Sequence, residues 1–177
     1  MVDQTREIII SEEQIKARIA EMAEEIRNCY QGEEVLLVGI LKGSLYFIAD
    51  LSRQLDLNVQ IDFVQVSSYE GKMETSANVQ IRKDLDSNIE GRNVLLVEDI
   101  VDTGLTLSHL RELLMVRKPK TLKIASLLSK RLAKGTDTMI EFIGFEIADQ
   151  FVVGYGLDYG ESYRNLPDIS IFCESSP

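Results

Sequence analysis

Residues 95–107, LLVEDIVDTGLTL, decide how this chain is read. An apolar run meets two adjacent acids, Glu98 and Asp99. Two more apolar residues follow, then Asp102, Thr103 and Gly104, and after Leu105 comes Thr106. A continuous apolar run is what a strand buried on both faces of a sheet requires. Leu107, Leu110 and Leu114 then recur at helical spacing, and Pro119 stops them. The stretch is therefore predicted as strand, turn and helix, with Glu98 and Asp99 leaving the sheet at its carboxyl edge. Gly104 lets the backbone approach a ligand closely. The N–H groups that open a helix carry partial positive charge, and the hydroxyls of Thr103 and Thr106 stand beside them. Such a turn suits one phosphate monoester. The carboxylates would repel that phosphate unless they face a hydrogen-bond donor or a cation. A sugar phosphate meets both demands, with phosphate in the turn and diol on Glu98 and Asp99. An isolated Glu-Asp pair more often caps a helix or solvates a strand end. The strand–turn–helix setting is what argues for a site. The pattern lacks the G-x-x-x-x-G-K-[ST] spacing of a phosphate loop, and its lone glycine is no dinucleotide fingerprint.

The same alternation continues on either side. Residues 7–11 read as a short strand ending at a helix cap, with Gln14 three residues after Ser11 as capping-box partner. Ile15, Ile19, Met22 and Ile26 mark an amphipathic helix to about Asn28. Residues 34–40, 59–66 and 121–129 read as strands, with another from Phe151. Leu45, Ile48, Leu51 and Leu55 suggest a helix. Residues 67–78 are polar and irregular, and VQIRK after them reads as a short strand. Strands alternating with helices indicate an α/β domain with a mostly parallel sheet. Ligands bind such sheets at the carboxyl ends of the strands. Three strands end there in polar or glycine-bearing segments: Lys42-Gly43, residues 98–106, and Lys130-Arg131.

Bulk properties narrow the classes. The chain has 177 residues, the size of one domain. Its net charge of −10 opposes nonspecific nucleic-acid binding, which needs a basic face, yet leaves room for a local phosphate pocket. No apolar run approaches the roughly 18 residues that span a membrane. The N-terminus lacks a signal-peptide pattern. Cys29 and Cys173 are each alone in their neighbourhoods, as reduced thiols of a cytoplasmic protein would be. His109 and the charged face of residues 12–27 read as solvated or packing groups.

VEDIVDTGLTL resembles the phosphoribosyl-pyrophosphate motif of the type I phosphoribosyltransferases. GILKGSLYFIADL (39–51), SSY (67–69), ASLLSKR (125–131) and DQFVVGYGLDYGESYRNLP (149–167) are similar, in order, to parts of hypoxanthine-guanine phosphoribosyltransferases. The resemblance implies an α/β fold with a parallel-sheet, Rossmann-like core. It also implies one domain over 1–177, with a small hood from about 1–10 and 155–177. It implies transfer of a 5-phosphoribosyl group from phosphoribosyl pyrophosphate to hypoxanthine or guanine, giving IMP or GMP and pyrophosphate. On this likeness Asp102, Thr103, Gly104, Leu105 and Thr106 hold the 5-phosphate, and Glu98 and Asp99 the ribose hydroxyls. Asp102 is the general acid/base, its carboxyl pKa expected to be raised by burial beside other acids. Lys130 meets the six-position oxygen of the purine, Phe151 stacks on its face, and Val152 and Asp158 complete the purine side. Lys42, Gly43 and Arg164 meet pyrophosphate, on a loop where the family carries a non-proline cis peptide. Ser44 stands where many relatives have a second glycine. Asp158, with Glu98 and Asp99, holds Mg2+. Ser68 and Tyr69 begin a loop that closes over the site. Relatives are homodimers or homotetramers. Two other readings stay open: a phosphoribosyltransferase for xanthine or a pyrimidine, and a nucleic-acid-binding regulator that keeps the pocket.

Overall fold

The structure is a computed structural model, and it describes residues 6–68, 79–130 and 139–172. Its elements are β1 (Arg6–Ile10), α1 (Glu12–Tyr30), β2 (Val35–Leu41), α2 (Leu45–Gln54), β3 (Val59–Ser68), β4 (Val79–Lys83), β5 (Asn93–Val101), α3 (Leu105–Met115), β6 (Thr121–Lys130), β7 (Phe142–Ile147), β8 (Val152–Val153) and β9 (Ile169–Phe172). Six strands form one sheet in the order β4-β3-β2-β5-β6-β7. All neighbours in it run parallel except β4, which closes one edge antiparallel to β3. A second, antiparallel sheet has the order β1-β9-β8.

Period-two alternation along the strands divides the core. Leu37, Leu95 and Val97 pack with Ile15, Ile19, Phe47 and Leu51 of α1 and α2. Their neighbours Leu36, Val38, Val94 and Leu96 pack with Leu107, Leu110 and Leu114 of α3. Both sheet faces are thus covered, which explains why the strands read as unbroken apolar runs. α1 begins where the sequence places it. Ser11 Oγ accepts from the Gln14 N–H at 3.3 Å, and Gln14 Oε1 accepts from the Ser11 N–H at 2.8 Å. The helix runs on to Tyr30 and ends at Gln31, whose φ is 50°.

Three expectations need correction. The outer strand of the large sheet beyond β6 is β7, whereas the strand expected from Phe151 is the short β8 of the small sheet. β7 is an edge strand, and a helix side chain satisfies part of it: Arg18 donates to Gly144 O at 3.0 Å and to Ile143 O at 2.8 Å. Next, β5 extends to Val101. Glu98 therefore lies inside the sheet, paired with Ser126 of β6, instead of leaving it. Finally, Leu45 is exposed, and Phe47 takes the core position on α2. Tyr69, the Ser68 side chain and Cys173 lie outside the described residues. Among the described residues, no helix is long and apolar enough to cross a membrane.

Candidate active site

β2, β5 and β6 end side by side, and the segments that follow β2 and β5 converge. Asp99 Oδ1 accepts the Ile100 N–H at 2.9 Å. Its other oxygen faces Gly43, where any Cβ would collide with the carboxylate. The Leu41–Lys42 peptide in this loop is cis. From the other side Gly156, with φ +104°, lies so close that a Cβ on it would strike Gly43 O. The β2 loop is thereby clamped between Asp99 and the turn after β8. Ser44, the departure from the family's pattern, is fully buried and donates from its hydroxyl to Ile40 O at 2.7 Å.

The turn after β5 opens α3 through Gly104 in the left-handed region, φ 76°, with no side-chain cap. One local contact, from the Leu105 N–H to Thr103 Oγ1 at 3.4 Å, touches the first turn. Its remaining amides have the character of an anion site. Glu98, Asp102, Thr103, Gly104 and Thr106 line a cavity of about 260 Å³ over this turn. A second cavity, about 290 Å³, is lined by Asp99, Asp102, Lys130, Phe151, Val152 and Asp158. Asp102 and Ile100 belong to both cavities, so the two adjoin at Asp102.

The expected burial of Asp102 is absent. Its side chain is 60% exposed and pairs with Lys130 Nζ at 3.2 Å. The acids that are shielded are its neighbours in the strand. Burial, and then the charge of Asp99, pushes the Glu98 carboxyl well above the usual range. Burial also raises Asp99 to about 6, against its own backbone hydrogen bonds and Arg164. Lys130 is only 13% exposed. Burial disfavours its ammonium, but Asp149 at 3.0 Å and Asp102 outweigh that and raise its pKa.

Lys42 and Arg164 meet across the front of the β2 loop. Lys42 Nζ pairs with Glu161 at 2.7 Å, and Arg164 lies 3.5 Å from the same carboxylate. Arg164 also donates to Gly156 O at 2.7 Å and pairs with Asp158 at 2.7 Å. Phe151 is half exposed, with Tyr159 edge-on at 5.8 Å and Phe172 at 6.3 Å. His109 Nδ1 lies 2.9 Å from Leu105 O within its own helix.

Two buried side-chain atoms among the described residues have no hydrogen-bond partner, Glu98 Oε2 and Arg164 Nε. Buried polar atoms are nearly always satisfied, so unpaired ones need a reason. One is an acceptor on the wall of the cavity over the α3 turn; the other is a donor on the arginine that pairs with Asp158 of the adjoining cavity. Among the described residues no three acidic, histidine or cysteine side chains form a ready metal cage. Magnesium does not require one, since it is commonly held by one or two carboxylates together with substrate oxygens and water. Asp99 and Asp158, which line one cavity, fit that kind of site, and the unpaired Glu98 oxygen belongs to the wall of the adjoining one.

The sequence reading gave no role to Asp149, Glu161 or Phe172. Asp149 and Glu161 lie within the matched segments, but nothing in their spacing shows that they reach Lys130 and Lys42. Those contacts come from strand and turn neighbours distant in sequence.

The Asp99 shift has a measurable consequence. Its pKa when folded, about 6, lies above the ordinary aspartate value of 3.8. Between those values the folded state keeps a proton the unfolded chain has lost, so this group's contribution to stability falls as pH rises from about 4 to 6. Asp99→Asn removes the penalty and relieves Glu98 as well. In metal-free buffer, the difference in thermal midpoint between variant and wild type should grow in the variant's favour across that window. A difference that stays flat with pH would contradict the assignment.

A family model described as the phosphoribosyl transferase domain matches residues 6–160. The chain is 48% identical over 164 residues to the hypoxanthine-guanine phosphoribosyltransferase of Bacillus subtilis (strain 168), covering 93% of this chain and 91% of that protein. It is 50% identical over 165 residues to the hypoxanthine phosphoribosyltransferase of Salmonella typhimurium (strain LT2), covering 92% and 93%. A crystal structure of a hypoxanthine-guanine phosphoribosyltransferase from Bacillus anthracis, with HEPES in its active site, superposes with a TM-score of 0.92 at 44% identity. That match covers 96% of this chain and all of that one.

Proposed function

The chain belongs to the phosphoribosyl transferase domain family, and from that premise we propose that it makes purine nucleotides. It transfers the 5-phosphoribosyl group of phosphoribosyl pyrophosphate to hypoxanthine, guanine or both, and releases pyrophosphate. The observation that carries this reading is the pair of cavities adjoining at Asp102. One has a helix-opening turn for a phosphate. The other has a lysine and a half-exposed aromatic ring for a base. A nucleotide has that same division, and its glycosidic bond falls at the junction.

The reaction is displacement at the anomeric carbon, with positive charge developing on the sugar. The α3 turn, residues 102–106, holds the 5-phosphate through its amides and hydroxyls, and Glu98 and Asp99 take the ribose diol. Lys42, Gly43 and Arg164 take the pyrophosphate end. With both ends held, the reacting atoms are in line and little orientational entropy remains to be lost. Asp102 faces the imidazole-ring nitrogen of the purine, taking its proton or returning it as the bond to the sugar forms or breaks. Phe151 stacks on the base, and Val152 offers backbone groups to its edge. Magnesium, held by Asp158 with Glu98 and Asp99 adjacent, would neutralise charge on the leaving pyrophosphate. We extend the proposal to a cytoplasmic location and to assembly as a homodimer or homotetramer.

Lys130 sets the base class. Its ammonium donates to an oxygen at the six position, whereas the amino group of adenine would meet it donor to donor. A spectrophotometric assay with magnesium, phosphoribosyl pyrophosphate and each purine in turn tests this. Hypoxanthine or guanine should turn over, and kcat/KM for adenine should be lower by about a hundredfold or more. Adenine preferred over every 6-oxopurine, or no turnover at all, would sink the reading.

A further inference from the structure

We propose that Asp149 is a positioning residue for the purine side of the site. It keeps the Lys130 ammonium paired and aimed when Asp102 leaves that ammonium for the incoming base. This rests on the reading of Lys130 and Asp102 just given.

The geometry comes from neighbouring strand ends. Lys130 is the last residue of β6 and pairs with Ile147 at the end of β7, two residues before Asp149. Asp149 thus reaches Lys130 Nζ, at 3.0 Å, from the connection between β7 and β8. Asp102 reaches it from the turn after β5, at 3.2 Å. The two carboxylates have different positions. Asp102 lines both cavities, whereas Asp149 lines neither. A bound base therefore competes for Asp102 and leaves Asp149 in place.

An ammonium has three donors. Two are used here, and the third remains for the oxygen of the base. Were Asp102 the only counter-ion, its turn toward the base would strand a largely buried cation or draw the lysine after it. Asp149 removes that conflict. The same short connection leads to Phe151, so the lysine's anchor and the stacking ring sit on one piece of chain.

Asp149→Asn keeps the shape and removes the charge. Steady-state kinetics should show KM for the 6-oxopurine raised about fivefold, as expected for one charge-assisted contact with a half-exposed carboxylate. KM for phosphoribosyl pyrophosphate should stay within about twofold. Asp149→Glu should restore most of the purine KM. The pH profile gives a second readout. The groups facing the ammonium are Asp102 and Asp149, with Asp99 and Asp158 on other walls of the same cavity and Arg164 paired to Asp158. The charged lysine is the binding form, so purine kcat/KM falls as pH rises through its pKa. Losing Asp149 disfavours the ammonium and should move that alkaline limb to lower pH. NMR titration of labelled lysines in the unliganded proteins reads the same shift without turnover. An unmoved Lys130 titration overturns the proposal whatever the enzyme's substrate proves to be. So does a purine KM that changes only in step with the other KM and the thermal midpoint. Failure of the wild type to use any 6-oxopurine, with the lysine titration shifted as expected, would instead count against the functional reading.

Discussion

Asp102→Asn is expected to lower kcat by about two to three orders of magnitude, the usual contribution of a placed acid or base. The amide has the carboxylate's size and can still accept from Lys130 through its oxygen, so the cavity walls should hold. What it cannot do is take or return a proton at neutral pH. Asp102 sits where the two cavities adjoin, beside Lys130, and lines the same cavity as Phe151. KM for phosphoribosyl pyrophosphate should change by no more than about threefold, because the amides of the α3 turn remain. Single-turnover measurement with hypoxanthine separates the chemical step from product release. A variant with wild-type turnover in that step would remove Asp102 from the proton transfer.

Gly156→Ala should be as damaging, for a steric reason. Its φ of +104° is one that side chains rarely adopt, and a Cβ there would enter Gly43 O. Gly43 cannot retreat, since its own Cα lies against the Asp99 carboxylate. Gly156 is also hydrogen-bonded in both directions to Arg164: its N–H donates to Arg164 O at 2.9 Å, and its oxygen accepts from the guanidinium. The backbone conformation alone should cost about 1–3 kcal/mol, with the collision added. If the turn moves to escape, Asp158 and Arg164 move with it and the β2 loop loses its clamp. Thermal unfolding should show a clear drop in midpoint. kcat/KM for phosphoribosyl pyrophosphate should fall by about a hundredfold, as misplacement near a reacting centre does. A variant with unchanged stability and kinetics would show that the contact between loop and turn can yield at little cost.

How much of the site could be read in advance depended on local pattern. Residues 98–106 were legible because an apolar run, a glycine and a helical repeat lie next to one another in the chain. Even there, the strand proved longer than expected, since pairing of Glu98 with Ser126 is a property of the neighbouring strand. Lys42 and Lys130 were legible only as polar residues at strand ends, and their roles, with Phe151, Asp158 and Arg164 altogether, were named only through likeness to a family, because each looks ordinary in its own surroundings. β7 was not singled out although its sequence, FIGFEI, is largely apolar; its place at the sheet edge, with Arg18 donating to its carbonyls, is set by a helix distant in sequence.

By itself the order of residues determined the alternation of strand and helix, the buried faces and the anion-ready turn, all of which depend on chemistry within a few positions of the chain. Only the packed structure decided which carboxylates are shielded, that Asp102 is open and tied to Lys130, and that Asp149 stands behind that lysine. Dielectric surroundings and ion pairing depend on what lies across a gap in space, and parallel strands bring together residues that the chain itself keeps far apart.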